Sequence, residues 1–436
     1  MTRPLRRSAA FSLVSALSLA AGVLGQYAPV PFVVVAVVAA LASGGRFFDL
    51  FANRRDRNEG SLYTLLAFSL TGAGLALLIP TFALPVSVFA ATMLTVGFGD
   101  LGRRLVLEFR ESEVGGVAGF VVLGGTAAFG GQVVVNALHA TVSTGLIPEF
   151  LFVAASAGLL GALLRSVFGP RDEPLMLATV ALLLWLFADL AVVVSGERVL
   201  VALAITVVFG YLSYALEAAS IPGMLTGVFL ALLAVVLGGY GWFAVLIAFF
   251  AIGGLSTKYR YDEKLARGVA EPNEGARGSG NVLGNSLAAL FALLLFAAHG
   301  RLPLPGAAFA VAFTGSMATA LADTLSSEIG GLYDRPRLVT TLQPVEPGTD
   351  GAVTWQGEVA GLAGAVLVAA MTVGLFAYPP VVGLAVVAAG VVGMTADSLV
   401  GATIEGSVVG NQAVNFIATT VGAIAGGLFY LVLVGP

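Results

Sequence analysis

Long apolar runs alternate with short polar, glycine- or proline-containing breaks along almost the whole chain. A helix that crosses a membrane needs about 20 mostly apolar residues, and most of the runs approach this length. The pattern predicts about 13–15 spans, because one of fifteen runs is short and two meet closely at Gly238. The predicted spans are 8–25, 29–44, 61–79, 82–99, 116–136, 147–168, 174–194, 199–216, 222–238, 241–256, 281–298, 305–325, 358–377, 380–397 and 412–434.

Composition supports the same fold class. Of the 436 residues, 58% are hydrophobic and 11% are charged, whereas soluble domains carry about 25% charged residues. This balance excludes an ordinary soluble globule and a disordered chain, and the net charge of −4 argues against nucleic acid as a partner. We therefore expect an all-α, polytopic transmembrane helical bundle in the cell membrane of a prokaryote. Nothing in the composition indicates an oligomeric state.

Basic residues follow alternate spans, which indicates the orientation of the chain. Arg3, Arg6 and Arg7 come before the first run, and further basic residues follow the second, fourth, sixth, tenth and twelfth spans. By the positive-inside rule the N-terminus is cytoplasmic, and so are the two long polar loops, 257–280 and 326–357. The first run resembles a signal peptide, but no clear small-x-small cleavage site follows it, so we interpret it as a retained span.

The chain divides near residue 195. Residues 1–194 form an N-terminal transmembrane bundle of unknown role, and residues 195–436 hold both lysines and both long polar loops. The second part also contains an internal echo, in which Ala322-Asp-Thr-Leu and Ala396-Asp-Ser-Leu each end a span. Their similar placement favours a true repeat over a chance match.

Asp323 and Asp397 are the leading candidates for chemistry, because charge inside a span is costly and is retained mostly for function. Paired carboxylates with nearby hydroxyl groups suit a hard cation such as Mg²⁺. Glu328 and Glu405 are candidates to complete a metal site or to hold water beside it. The alternative is that these acids are solvated at helix ends.

A second group of candidates surrounds the loop at 257–280. Lys258 stands at a span end, Arg277 lies in a glycine-rich stretch, and Asn281 and Asn285 share one face of the next helix near its start. Basic side chains and a helix N-terminus both favour phosphate, so this pattern is typical of a phosphate-binding site. The alternative is a set of basic loops that only obey the positive-inside rule.

Two further elements add polar candidates. Thr341 and Thr349 lie in a glycine- and proline-punctuated loop, and such loops in an apolar chain are often functional. Asn411 and Asn415 open the last span one helical turn apart. A simple exposed connection and helix packing are the respective alternatives. In the first part, Asp100 with the arginines that follow it is interpreted as a salt-bridged helix end.

Residues 195–436 contain an ordered series of sequence blocks: Ser256-Thr-Lys258, Glu274 to Asn285, Ala322 to Gly330, Pro336 to Thr341, Pro347 to Gly351, Asp397 to Thr403 and Asn411 to Asn415. Together these blocks resemble one integral membrane family, which contains plant and cyanobacterial phytyl-phosphate kinase and an animal transmembrane protein. Asp350 departs from the family, which often has Asn there, and the usual Lys-rich loop is here rich in Arg and acids. The first half resembles membrane polyprenol kinases and cytidylyltransferases only through Gly99-Asp100.

The resemblance implies a kinase that converts an isoprenyl monophosphate to the diphosphate with CTP or a related nucleotide. Asp323, Asp397 and Glu328 would hold Mg²⁺, and Lys258 would neutralise phosphate charge. The remaining candidates would bind the nucleotide or the lipid phosphate: Arg277, Asn281, Asn285, Thr341, Thr349, Asn411 and Asn415. A CTP-dependent lipid-phosphate cytidylyltransferase needs the same groups. A secondary transporter is the alternative from another class, although the polar groups cluster at span ends rather than at the midplane.

Overall fold

The computed structural model describes residues 2–138, 143–168, 172–190, 194–217, 219–271, 278–406 and 408–435. Thirteen helices in these ranges are long and apolar enough to cross a membrane, or up to 14 if one bent pair counts as a span. The predicted fold class, an all-α polytopic membrane protein of about 13–15 spans, is confirmed. The two predicted spans outside the thirteen are 29–44 and 82–99.

The chain forms two compact units, Met1–Leu203 and Ala204–Pro436. The division falls inside a helix, a few residues after the position near 195 that the sequence suggested. The helices of the first unit are α1 Arg3–Ala16, α2 Ala21–Leu24, α3 Val30–Leu41, α4 Gly45–Phe51, α5 Arg54–Glu59, α6 Tyr63–Phe82, α7 Val86–Phe109, α8 Glu113–Ala137, α9 Ile147–Val167 and α10 Glu173–Leu190, and α11 Gly196–Ala215 crosses the division.

Helix α7 runs ten residues past the predicted end of its span. The helix continues through the glycines around Asp100. These glycines let α8 pack closely against α7, and this packing supports the helix. A Cβ built on Gly119 of α8 would lie 2.6 Å from the carbonyl oxygen of Gly102 on α7. Two helices in such contact satisfy their own backbone hydrogen bonds and exclude larger side chains from the interface. The sequence pattern shows the polar residues of this helix but not the packing that lets it continue.

Two further regions depart from straight spans. Helix α3 covers most of the predicted span 29–44, and it meets α4, which begins just beyond that span, at an angle of 107°. In the second unit, a π-helical turn at Ala234–Gly238 and Gly239, with φ +102°, join the two closely spaced spans near Gly238. Glycine is required at this φ, since other residues are strained there. The tight pair expected from the sequence is thus a sharp glycine turn.

The second unit contains eight further helices and one β-hairpin among its described residues. Helices α16 to α19 pack against one another, and α15 packs on α16 and α19. The elements are α12 Ile221–Leu233, α13 Tyr240–Lys258, α14 Tyr261–Ala266, α15 Ser279–Ala297, α16 Gly306–Gly330, β1 Arg337–Leu338, β2 Ala352–Val353, α17 Trp355–Phe376, α18 Pro380–Ile404 and α19 Asn411–Leu433.

Helices α16 and α18 hold the two copies of the repeated motif in equivalent positions. Each helix has 25 residues, and Asp323 and Asp397 each follow its first residue by 17 positions. Each is followed by a returning helix, α17 with 22 residues and α19 with 23. The four-helix bundle is therefore two tandem helical hairpins, each of which supplies one aspartate.

Candidate functional site

The carboxyl groups of Asp323 and Asp397 meet near one end of this bundle, within hydrogen-bonding distance of each other. Both side chains are half-buried, and Asp397 Oδ1 is buried without a hydrogen-bond partner. Two carboxylates so close repel each other, and a shared proton or a bound cation relieves the repulsion. The pair is consequently an incomplete polar group that a cation can complete.

Small residues one helical turn away hold the two aspartates together. Thr319 of α16 donates a hydrogen bond to the carbonyl oxygen of Ala389 on α18 over 3.3 Å. A Cβ built on Gly393 of α18 would lie 2.8 Å from the Cβ of Thr319. Since Thr319 and Gly393 each precede their aspartate by four residues, this contact sets the separation of the carboxyl groups.

More acidic groups surround the pair. The carboxylates of Glu405 and Glu271 act electrostatically on Asp323. Glu405 lies just beyond α18, where burial raises its pKa and the nearby Asp350 carboxylate raises it further, while a hydrogen bond from the Asn411 side chain opposes the rise. This end of the bundle therefore concentrates negative charge that favours a cation.

Magnesium fits Asp323 and Asp397 alone better than it fits the predicted set of Asp323, Asp397 and Glu328. Mg²⁺ is commonly held by one or two carboxylates together with substrate phosphates, which is what Asp323 and Asp397 with an unpartnered oxygen can offer. Glu328 does not join them, because its Oε2 accepts from Lys264 Nζ at 2.5 Å. Among the described residues, no group of three or more His, Cys, Asp or Glu side chains is arranged to hold a metal.

The two lysines occupy different environments. Lys258, the predicted phosphate-binding residue, ends α13 and its side chain is exposed. Lys264 is only 1% exposed, and besides its bond to Glu328 it donates to the carbonyl oxygens of Ser256 at 2.9 Å and Thr257 at 2.6 Å. Sequence reasoning missed this buried lysine. The available signal was that the chain uses Lys at only two of its 21 basic positions.

The four asparagines lie at the adjacent N-terminal ends of α15 and α19. Asn285 donates to the backbone oxygen of Asn281 at 3.0 Å, and Asn415 donates to Asn411 Oδ1 at 3.4 Å. The two helices touch closely, since a Cβ on Gly284 would lie 2.7 Å from the backbone oxygen of Gln412. The oxygen Oδ1 of Asn281 is buried without a partner, so it remains available as an acceptor.

Hydrogen bonds link the two asparagines of α19 to Glu405, which in turn acts on the carboxyl pair by charge alone. Asn415 donates to Asn411, and the Asn411 side chain donates to Glu405, whose charge acts on Asp323 and Asp397. The structure thus brings Asn411 and Asn415 to the carboxyl pair through Glu405. Arg277 falls outside the described residues.

The polar loop after α16 forms the β-hairpin and docks on the end of α18. Gly351, with φ +72°, lies so close to α18 that an added Cβ would come within 2.5 Å of the Ser398 carbonyl oxygen. Thr341 and Thr349 are exposed, and they bond to their own loop: the Thr349 hydroxyl donates to the Glu346 carbonyl oxygen, and Thr341 Oγ1 accepts from the Gln343 backbone. The hairpin is therefore fixed beside the site, with both threonines facing outward.

The first unit contains a separate charged cluster. Arg165 of α9 donates to both carboxylate oxygens of Asp100 and, at 3.3 Å, to Glu173. The sequence suggested that Asp100 pairs with the arginines that follow it, and the structure instead joins it to Arg165, 65 residues away. The cluster ties α7, α9 and α10 together and has a structural explanation.

The helices define an all-α, polytopic integral membrane protein, with a pair of carboxyl groups near one end of a helix bundle in its second unit. Residues 204–423 match the family model described as integral membrane protein DUF92, which is half of the chain, and the protein belongs to this family. The resemblance seen in the sequence blocks is thereby confirmed. The matched segment begins where the second unit begins and covers all of it except the end of α19 and the residues after that helix.

Curated relatives align over the same part of the chain. An uncharacterized membrane protein of Methanocaldococcus jannaschii is 39% identical over 203 residues, which cover 45% of this chain and 79% of that protein. One from Synechocystis is 35% identical over 42% of this chain and 72% of its own length. Protein VTE6, chloroplastic, of Arabidopsis thaliana is 33% identical over 43% of this chain and 57% of its own length. No solved structure matches the chain.

Proposed function

We propose that the second unit is a membrane-embedded, nucleotide-dependent kinase that converts an isoprenyl monophosphate, such as phytyl or geranylgeranyl phosphate, to the diphosphate. The observation that carries the proposal is the meeting of Asp323 and Asp397 at a polar end of an apolar bundle. The similarity to VTE6 supports a role in isoprenoid metabolism in a membrane. The polar loops at this end are on the cytoplasmic side by the positive-inside rule, in a membrane that we propose to be the cell membrane.

The amphiphilic substrate matches this placement. Its hydrocarbon tail would stay in lipid while its phosphate reaches the span ends, where Asp323 and Asp397 would hold Mg²⁺. When bound, the cation neutralises phosphate charge. The exposed ammonium of Lys258 would attract the phosphates, and Asn411 and Asn415 would orient them through side-chain hydrogen bonds.

Phosphoryl transfer needs positioning and charge neutralisation more than covalent help. An oxygen of the acceptor monophosphate forms a bond to the γ-phosphorus of the donor, and the bond from that phosphorus to the bridging oxygen breaks. The nucleoside diphosphate leaves with the electron pair. A phosphate monoester is largely ionised near pH 7, with a second pKa of about 6, so this chemistry needs no strong general base.

The test is turnover by the purified full chain in detergent, given geranylgeranyl phosphate, Mg²⁺ and CTP or ATP labelled at the γ-phosphate. We expect label in a lipid diphosphate, and a loss of about 10²–10³-fold in kcat for Asp323→Asn and for Asp397→Asn. Asp49→Asn, a change at an exposed acid of the first unit, is the matched control. Thermal melting checks that each variant is folded.

Other results would contradict the proposal in distinct ways. Label released as pyrophosphate would indicate cytidylyl transfer to the lipid phosphate. If folded Asp323→Asn protein turned over at the wild-type rate, the carboxyl pair would be excluded as the catalytic site. An absence of turnover with both phytyl and geranylgeranyl phosphate would favour a transporter.

A further inference from the structure

Lys264 forms a buried connection between three parts of the second unit. Its ammonium group bonds to the last carbonyl groups of α13 at Ser256 and Thr257 and to the carboxylate of Glu328 on α16. Both charged side chains are nearly inaccessible, with 1% of Lys264 and 6% of Glu328 exposed. Three partners satisfy all three donors of the ammonium group. This geometry holds the end of α13 at a fixed place on α16.

The segment 259–271, which we name the clamp segment, is attached at several further points. Arg267 Nη2 bonds to Asp334 Oδ1, outside the segment, at 2.7 Å, while within the segment the Tyr261 hydroxyl donates to the carbonyl oxygen of Glu271 at 3.0 Å. The side chain of Val269 lies against Gly331 and Gly348, within 3.4 Å of a Cβ built on either glycine. The clamp segment thus runs from the end of α13 to the loop beside the carboxyl pair.

Two groups of the proposed site depend on this segment. Lys258 directly follows Thr257, whose carbonyl group is held by Lys264. At the other end, Glu271 lies within electrostatic reach of Asp323. We propose that Lys264 is a positioning residue: by pairing with Glu328 and bonding to the end of α13 it fixes both the clamp segment and the placement of Lys258 at the phosphate-binding end of the site. The consequence for substrate binding rests on the proposed kinase function.

The ion pair of Lys264 and Glu328 can be replaced without leaving a buried charge. Lys264→Met alone strands the Glu328 carboxylate, which is costly, whereas Lys264→Met with Glu328→Met removes both charges and keeps similar volume. The double variant should therefore melt at a higher temperature than the single variant. It nevertheless lacks the hydrogen bonds to Ser256 and Thr257, so the clamp segment should lose its fixed attachment.

The chain has no cysteine, so a single spin label can be placed at Asp262→Cys, an exposed position of the clamp segment. In the double variant we expect a more mobile label, and a KM for the isoprenyl phosphate raised at least tenfold with kcat changed less than threefold. The matched control removes an exposed ion pair of the first unit with Arg57→Met and Asp49→Met. It should change neither the label nor KM.

The two measurements separate this inference from the proposed function. An unchanged spectrum at position 262 in the folded double variant overturns the clamp, whether or not the protein is a kinase. A mobile label together with an unchanged KM in the double variant overturns the role of the clamp segment in substrate binding. If the wild-type protein transfers no phosphate, the proposed function fails, and a mobile label in the double variant still supports the attachment by Lys264.

Discussion

The replacement of Gly393 by alanine tests how closely the two aspartates must be held. A methyl group at this position overlaps the side chain of Thr319, and its Cβ would lie 2.8 Å from the Cβ of Thr319. Rotation of the threonine does not relieve that contact, because Cβ positions do not depend on the rotamer. Helix α18 must therefore move away from α16, one turn from Asp397 and Asp323.

The structure sets the size of the effect. Ordinary carbon contacts begin near 3.4 Å, so a Cβ at 2.8 Å requires the helices to separate by about 0.6 Å. Overpacking of this kind costs about 1–3 kcal/mol, and alanine returns about 1 kcal/mol of helix propensity. A displacement of about 1 Å in a reacting group can cost about 10²-fold in rate. We therefore expect a net loss of stability below about 2 kcal/mol and a loss of about tenfold in kcat.

The assay is the labelled transfer to geranylgeranyl phosphate, with thermal melting of the same preparations. Gly374→Ala on α17 is the control, since an added Cβ there meets nothing within 4 Å. Thr319→Gly added to Gly393→Ala removes the opposing Cβ together with the hydroxyl and methyl groups, and it should restore part of the activity. If folded Gly393→Ala protein turns over as fast as Gly374→Ala protein, the spacing of α16 and α18 at Gly393 does not limit catalysis.

Three further predictions concern single charged groups. Lys258→Ala should raise KM for the isoprenyl phosphate about tenfold with little change in melting temperature, and an unchanged KM would remove Lys258 from the site. Arg165→Met should lower the free energy of unfolding by about 3–5 kcal/mol, because Asp100 and Glu173 lose their buried partner. Adding Asp100→Asn and Glu173→Gln should restore part of the lost melting temperature. If it restores none, the pairing of these three residues is contradicted. Burial and Asp350 raise the pKa of Glu405 in the folded protein. The stabilisation that the protonated Glu405 gives is therefore complete below its unfolded pKa, near 4.5, and it is lost as the pH rises through the folded pKa. Glu405→Gln should consequently raise the melting temperature at pH 8 but not at pH 4, and an equal effect at both pH values would contradict this sign.

The exposed acid Glu346 provides the control for the pH experiment. Glu346→Gln changes the net charge by the same amount, in the nearby hairpin loop, without altering a buried carboxyl group. Its melting temperature should differ from the wild-type value by the same small amount at pH 4 and pH 8. A pH-dependent shift in this variant would attribute the Glu405 result to net charge.

The sequence was sufficient to predict the helical class and to single out Asp323 and Asp397. Apolar run length determines the first, because the bilayer thickness sets the length of a span. The second follows from the cost of placing a carboxylate inside an apolar run and from the repeated motif that marks both positions. These properties are local in the chain, so a linear pattern records them.

The partners of charged groups could not be predicted in the same way. Lys258 and Lys264 stand in one basic loop, and only the fold shows that the second is buried against Glu328, 64 residues later. The bond between Arg165 and Asp100 joins positions 65 residues apart. The helix pattern also did not show that α7 continues past Asp100, since the close contact between Gly102 and Gly119 depends on tertiary packing. Contacts of this kind depend on how helices are arranged rather than on sequence spacing.

The equivalence of α16 and α18 has a consequence for how the carboxyl pair is built. Each helical hairpin carries one aspartate, so neither hairpin alone contains a pair, and the pair exists only where the two copies associate. If the chain were cut in the short connection 377–379 between the hairpins, the carboxyl pair would form again only when the two fragments associate. In this sense the acidic pair is a property of the interface between two similar helical hairpins of one polypeptide.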